Sequence, residues 1–439
     1  MANINDYLTW RGDLTLAERP FNDVDNLVCS VLSYVDFMGI VPRPGAGTIT
    51  VAEACRILLD RAGDDLTPYV HSFAKVGSAY LRALGSSARF GGAGLHDYVD
   101  VIDPDRSLQF GALTMDVAPG LSFVSFRGTD GTLVGWREDF MLSFRVTEAQ
   151  RQATRYLAAA AQAAVARDSH LYVGGHSKGG NLASFAAASV PPELSDRLLV
   201  VWSNDGPGMD PAIMPHGPFA LLGNRLRRIQ PAYSVVGQLF DRPEEPRLYV
   251  RSDARGALQH DPMSWQVTPD GLCVAEGLLP ECVLVDRVFA NWIGDMPMER
   301  RIALTDQLFD ALGAGGATTF DEIMSSPRGA QKVLAAMGEI DPLTRRVIND
   351  LARQALSATT DTVREAAGTA ASIAMTVAHD MPARVLGKAM GAVREVAGER
   401  LARTADATPE TAQSPKPPSR RETSEITMAA ANAEPNDAM

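Results

Sequence analysis

Ser177 sits in Gly175-His176-Ser177-Lys178-Gly179, after the apolar run "HLYVGG" and before the alanine-rich "KGGNLASFAAASV". A serine hydroxyl is a weak nucleophile until a base takes its proton and a carboxylate orients that base. The flanking glycines meet a steric demand. Where a strand reverses sharply into a helix around an exposed serine, the neighbouring positions must carry almost no side chain. Gly175 and Gly179 are assigned to that turn, and the Lys178 backbone N–H, at the head of the helix, to a developing oxyanion. Two other readings compete: a glycine-rich phosphate cradle, and a turn with no chemistry. The cradle needs glycine, lysine and then Ser or Thr, whereas the order here is Ser177-Lys178-Gly179, and the turn holds no G-x-G-x-x-G.

On such a turn the acid and the base follow the nucleophile in the chain. His216, His260 and His379 follow Ser177. His216 lies in the Pro/Gly-rich "MPHGPF" and His379 in a C-terminal alanine-rich stretch. His260, in "LQHDPMSWQV", lies just past the last strand candidate, "RLYVRS", and is the expected base. His176 adjoins Ser177, should point away from it, and is read as a packing residue of the turn. Asp205, in "SNDGPGMD", ends the run "LLVVWSN" and so falls at the carboxyl edge of the sheet, where open α/β folds bind ligands. It is the expected acid. Asp241 is the alternative, ahead of Asp253 and Asp261, and an aspartate before Gly-Pro is also an ordinary turn former. The second oxyanion donor is expected at Thr129, after the strand residues Phe123 to Phe126. Arg127 and Asp139 are expected to pair and brace that loop, and Trp136 to pack. The apolar segment Gly206 to Gly223 reads either as a gate over the site or as a packed loop.

The elements that must position these residues follow from periodicity. In "FNDVDNLVCSVLSYVDFMGIV", Val24, Leu27, Val28, Val31 and Leu32 form a helical stripe, and "TVAEACRILLDRA" has a similar pattern. From about Phe110 the pattern changes to two short strands around Ala118-Pro119-Gly120, then a strong helix in "EAQRQATRYLAAAAQAAVARD". "RLLVVWSND" reads as a strand buried on both faces. Further strands are expected within Leu226 to Val236 and at "RLYVRS". Strands alternating with helices give an α/β fold with a mostly parallel sheet flanked by helices. The expected organisation is one domain over 1–350, with a helical part at 1–95, a sheet-forming part at 96–282 and a helical part at 283–350. A helical extension at 351–403 and a disordered tail at 404–439, poor in apolar residues, complete it.

Composition narrows the function classes. The 439 residues carry a net charge of −12, which argues against phosphate-backbone binding as the main task and against adsorption to anionic membranes. Cys29, Cys55, Cys273 and Cys282 form no CxxC pair, so neither a zinc site nor a disulfide framework is expected, and no metal or cofactor is assigned. The polar N-terminus is not expected to act as a signal peptide, nor the uncharged run Ala366 to Ala378, which is short, to span a bilayer. A cytoplasmic protein without an integral membrane segment is the expectation.

"FRGT", the spacing of Trp136 and Asp139, and "GGHSKGG" resemble the fungal-type lipases (lipase class 3) of the α/β-hydrolase superfamily. The set "FNDVDNLV", "FRGTDGTLVGWREDF", "GGHSKGGNLA", "DGPG" and "QHDPMSWQV" resembles more closely the bacterial Mbeg-like family, over roughly Asn3 to Asp350. That resemblance implies an α/β-hydrolase-like fold with Ser177 as nucleophile, His260 as base and Thr129 as oxyanion donor. The implied substrate is a lipid or another small acyl ester. In one respect the chain departs from the fungal lipases, which carry their acid in an Asp-x-Val-Pro segment. The matching stretch here, "RIQPAYSVVGQLF", has no acid before Asp241. Asp205 would then serve from the preceding strand, as in pancreatic-type lipases. The alternative is a non-catalytic hydrolase-fold protein that binds a ligand or a partner.

Overall fold

A computed structural model describes residues 1–70, 72, 74–130, 132–240, 245–279 and 297–313. The chain opens with α1 (Ile4–Arg11), α2 (Asp23–Leu32), β1 (Ile49–Thr50), α3 (Val51–Ala62) and α4 (Ser78–Ser86). The strands β2 (Gly94–Asp103), β3 (Leu108–Ala118) and β4 (Leu121–Phe126) follow, then α5 (Leu133–Met141) and α6 (Glu148–Ala166). Next come β5 (His170–His176), α7 (Lys178–Ser189), α8 (Pro192–Ser195), β6 (Leu198–Asn204), α9 (His216–Leu222) and β7 (Leu226–Pro231). β8 (Arg247–Val250), the small ribbon β9 (Val267–Thr268) and β10 (Gly271–Leu272), and α10 (Met298–Gly313) complete the described elements. The expected helices beyond residue 313, and most of those from 283 onward, lie outside the described residues.

The main sheet runs β1 to β8 in chain order. β1 to β4 pair antiparallel and β4 to β8 pair parallel. Parallel neighbours need crossovers, and α5 with α6, then α7, then α9 supply the first three. Two apolar clusters cover the two faces. One joins α1 to α4 with Phe123 and Trp202, and the other joins α6, α7 and α9 with Val124, Val173 and Val201. β6 is buried on both faces from Val201 to Asn204, as an unbroken apolar run implies, but Leu199 at its start is exposed.

Two sequence expectations need amendment. β2 lies ahead of the first strand read from sequence. Its aspartates, Asp97, Asp100 and Asp103, disguise it, since Asp is depleted in strands. Asp97 sits at φ +55 in a register shift between His96 and Val99, and Asp100 is neutralised by Arg127. α2 was expected to bury one stripe, yet every residue from Val24 to Leu32 is buried, Asp25, Asn26 and Ser30 included. A capping box made by Asn22 and Asp25 starts this helix.

Asp25 has a second task. Arg89 Nη2 lies 2.5 Å from its Oδ2 and Arg89 Nε 2.7 Å from its Oδ1, and Tyr7 Oη donates to Oδ1 at 3.0 Å. Arg89 also reaches Arg19 O at 3.0 Å and Pro20 O at 3.3 Å, so this ion pair fastens the N-terminal segment to α2. Removing one member leaves the other charged and buried. Arg89→Met is therefore expected to lower stability by about 3–5 kcal/mol in urea unfolding, with part of that recovered in Arg89→Met/Asp25→Asn.

Candidate active site

β5 delivers the chain to Ser177, which sits at φ +58 and ψ −130 immediately before α7. This backbone region is costly for any residue with a Cβ and persists only where the surroundings enforce it. A methyl added at Gly175 would lie 2.7 Å from Phe126 O and strike the Gly179 backbone; one at Gly179 would run into Phe126 O. Strand and helix close on each other only because both positions are bare. Ser177 N–H donates to Asn204 O at 2.8 Å, and Asn204 Nδ2 to Gly175 O at 3.1 Å. Asn26 of α2 in turn donates to Asn204 Oδ1 at 2.9 Å, which explains a buried asparagine in that helix.

Ser177 Oγ lies 3.0 Å from His260 Nε2, and His260 Nδ1 lies 2.6 Å from Asp205 Oδ2. The three residues singled out in sequence are thus brought into one hydrogen-bonded line across separations of 83 and 55 residues. Asp205 is fully buried at the end of β6, at φ +49, with its N–H on Ile229 O at 2.7 Å. Its other oxygen, Oδ1, accepts the Ser234 hydroxyl, and Ser234 Oγ accepts Gly237 N–H at 3.1 Å. Ser234, in the loop after β7, thus supplies a hydroxyl to a carboxylate at the end of the neighbouring strand β6.

The two rival acids that are described have other partners. Asp253 pairs with the Met1 ammonium at 2.6 Å and accepts Gln266 Nε2 at 2.8 Å, and Asp261 accepts Met263 N–H at 3.0 Å and Lys75 N–H at 3.4 Å. Asp241 and His379 lie outside the described residues, and His216 opens α9. His260 is held by its own loop: Trp265, fully buried, donates Nε1–H to Gln259 O at 2.8 Å. His176 does more than pack. Its Nε2 lies 2.8 Å from His260 O and must donate there, so Nδ1 accepts the Tyr34 hydroxyl at 2.7 Å. Burial and the neighbouring His260 hold His176 well below the usual imidazole range, and it stays neutral. No sequence signal pointed to Tyr34 or Ser234.

Arg127 and Asp139 do not pair. Arg127 Nη1 lies 2.7 Å from Asp100 Oδ2, its Nη2 pairs with Oδ1, and the side chain passes over Gly111, which faces Asp100 in the β2–β3 ladder. A side chain at Gly111 would block that path, and the bare position is what redirects Arg127. Asp139 accepts the Thr129 hydroxyl on Oδ2, while its buried Oδ1 has no hydrogen-bond partner among the described residues. Among the described residues, neither Thr129 N–H nor Lys178 N–H reaches a protein acceptor. The Lys178 side chain, unassigned in sequence, is buried against Glu138 at 2.7 Å. Trp136 is half-buried on α5.

The segment Gly206 to Gly223 is packed rather than poised to open. Met209, Met214, Phe219 and Leu222 are buried in the α6–α7 cluster. Asn181 Nδ2 holds Pro207 O at 3.0 Å, Asp210 N–H donates to Ser143 O at 2.6 Å, and Arg301 Nη1 of α10 meets Asp210 Oδ2 at 2.9 Å.

Among the described residues, no group of His, Cys, Asp or Glu could hold a metal ion, and no helix is long and apolar enough to cross a membrane. Burial pushes the Asp139 carboxyl up to about 6, against the lowering influence of Lys178 and the Thr129 hydroxyl. An acid raised on folding favours the protonated native state. The stability it gives is present below the unfolded value near 3.8 and lost as pH rises through about 6. Asp139→Asn should therefore gain on the wild type between pH 4 and pH 8, by up to about 3 kcal/mol in paired urea melts.

The Mbeg1-like family model matches residues 84–310, more than half of the chain. No curated protein matches it. Among solved structures it is similar to M37 lipase, at 17% identity and a TM-score of 0.32, covering 48% of this chain and 67% of that one. It is similar to the Rhizomucor miehei lipase propeptide complex at 14% identity and a TM-score of 0.31, covering 56% and 68%. The Lip2 lipase of Yarrowia lipolytica matches at 12% identity and a TM-score of 0.30, covering 54% and 80%. With the family model spanning the stretch from the end of α4 into α10, and so the serine turn, the His260 loop and the Thr129 loop, the chain belongs to the Mbeg1-like family.

Proposed function

We propose that the protein is a serine ester hydrolase acting on a lipid or another small acyl ester. The observation that carries this reading is the unbroken line from Ser177 Oγ through His260, 3.0 Å on one side and 2.6 Å on the other, to Asp205 Oδ2. Asp205 fixes the proton on His260 Nδ1, which leaves Nε2 free to accept the Ser177 proton as Oγ attacks the ester carbonyl. The carbonyl oxygen becomes an oxyanion, which the N–H groups of Thr129 and Lys178 stabilise. His260 then returns the proton to the departing alkoxide, and water, deprotonated by the same imidazole, releases the acyl group from Ser177.

Supporting roles follow from the contacts. Ser234 holds the second Asp205 oxygen and keeps the carboxylate facing the imidazole. His176 anchors the backbone of His260 and thereby its ring. The Thr129 hydroxyl is committed to Asp139, which orients the residue whose N–H faces the oxyanion.

Labelling with a fluorophosphonate probe tests the reading. The wild type should label and Ser177→Ala should not; equal labelling of both, or of neither, would leave a hydrolase fold without this chemistry. Asp205→Asn should fold normally yet lose on the order of 10³–10⁴-fold in kcat on a short acyl ester, because the imidazole loses its tautomer. An Asp205→Asn variant of full activity would move the acid elsewhere, with Asp241→Asn the next substitution to measure.

A further inference from the structure

Lys178 is the first residue of α7, and its ammonium is fully buried. All its protons are taken: Nζ lies 2.8 Å from Gln109 O, 2.9 Å from Gln109 Oε1 and 2.7 Å from Glu138 Oε2. Glu138 is just as occupied. Its Oε2 also accepts Gln109 N–H at 3.0 Å, and its Oε1 accepts Ala149 N–H at 2.9 Å near the head of α6. An ion pair buried to this degree is weak evidence for stability, since well-packed apolar residues often serve as well. Its position gives it another use.

Gln109 is the link. Its Oε1 faces an ammonium, which can only donate, so the carboxamide is fixed with Nε2 turned the other way. Nε2 lies 3.4 Å from Gly128 O. That carbonyl belongs to the same trans peptide as Thr129 N–H, and in a planar trans unit the two point in opposite directions. Holding the oxygen therefore aims the N–H. From the other side the peptide is hemmed in, since a methyl at Gly128 would strike the Tyr34 hydroxyl and lie 2.7 Å from His176 O. A chain of polar contacts thus joins Lys178 to the peptide that carries Thr129 N–H.

We propose that Gln109 is a positioning residue which, through Lys178 Nζ on one side and Gly128 O on the other, locks the two oxyanion donors into one fixed relation. This rests on the serine hydrolase reading. Oxyanion donors act because they are preorganised, and a displacement of about 1 Å can cost roughly 100-fold in rate. Loss of the link is expected to lower kcat about 10- to 100-fold while KM changes by less than about twofold.

The test compares the wild type with Gln109→Met, Gln109→Leu and the double variant Lys178→Met/Glu138→Gln on p-nitrophenyl butyrate. Active sites are counted by fluorophosphonate labelling and folding is followed by thermal melts. Gln109→Met loses both the acceptor for Lys178 and the donor to Gly128 O without adding a charge, while Lys178 keeps the backbone oxygen of residue 109 and Glu138, and the double variant leaves no buried unpaired charge. Both should show the kcat loss per labelled site, with unchanged KM and an unmoved pH profile, because His260 is untouched. If Gln109→Leu fails to fold, these two still decide the matter. Wild-type kcat per site in either overturns the proposal and leaves the hydrolase reading standing. A wild type that neither labels nor turns over the ester removes both.

Discussion

The site depends on the closeness of β5, α7 and the end of β4. Ser177 occupies a backbone conformation that it would not adopt alone, and it is held there because α7 begins within contact of Phe126 O. Any side chain at Gly175 or Gly179 would push the helix away from the sheet edge. The strain is local, but what sustains it is spread through the fold. Ser177 N–H is tied to β6 through Asn204, and Asn204 is tied to α2 through Asn26. Polar groups buried this deeply are tolerated because each has a partner.

That arrangement divides labour between the two faces of the sheet. α2 and the turn that follows it supply Asn26, Ser30 and Tyr34 to the underside of the serine turn, where they hold Asn204 and His176. On the other side, α5 contributes Glu138 and Asp139 as neighbours that face different tasks, one to the Lys178 ammonium and one to the Thr129 hydroxyl. α10 packs onto α5 through Arg137 with Asp306 at 2.5 Å and through Phe140 with Phe309. Segments distant in sequence therefore bear on the same few atoms around Ser177.

Much of this was legible without coordinates. The serine turn was readable because its demands are met within five consecutive residues, and steric exclusion leaves few residue types able to meet them. The candidate base narrows to His260 because chain order and the last strand candidate leave one histidine well placed. β2 was not readable, since its aspartates run against strand propensity, and Asp100 and Asp97 meet Arg127 and His96 only once the sheet has formed. Arg127 departs from the expected pairing for a related reason. Sequence proximity favoured Asp139, but the cross-strand ladder puts Asp100 opposite Gly111 and opens a path that only the assembled sheet contains.

By itself the sequence determined the strand–turn–helix around Ser177, the glycines that permit it, the candidate base at His260 and the alternation that makes an α/β sheet. All of these are set by spacing along one stretch of chain. Tertiary structure decided which carboxylate meets His260, that Ser234 steadies it, that His176 anchors the histidine loop, and that the Lys178 side chain joins Gln109 and Glu138 rather than solvent. Each of those contacts joins residues 29 to 84 positions apart. Their partners are chosen by strand register and by which buried polar groups must find one another, and neither leaves a period or a motif in the local sequence.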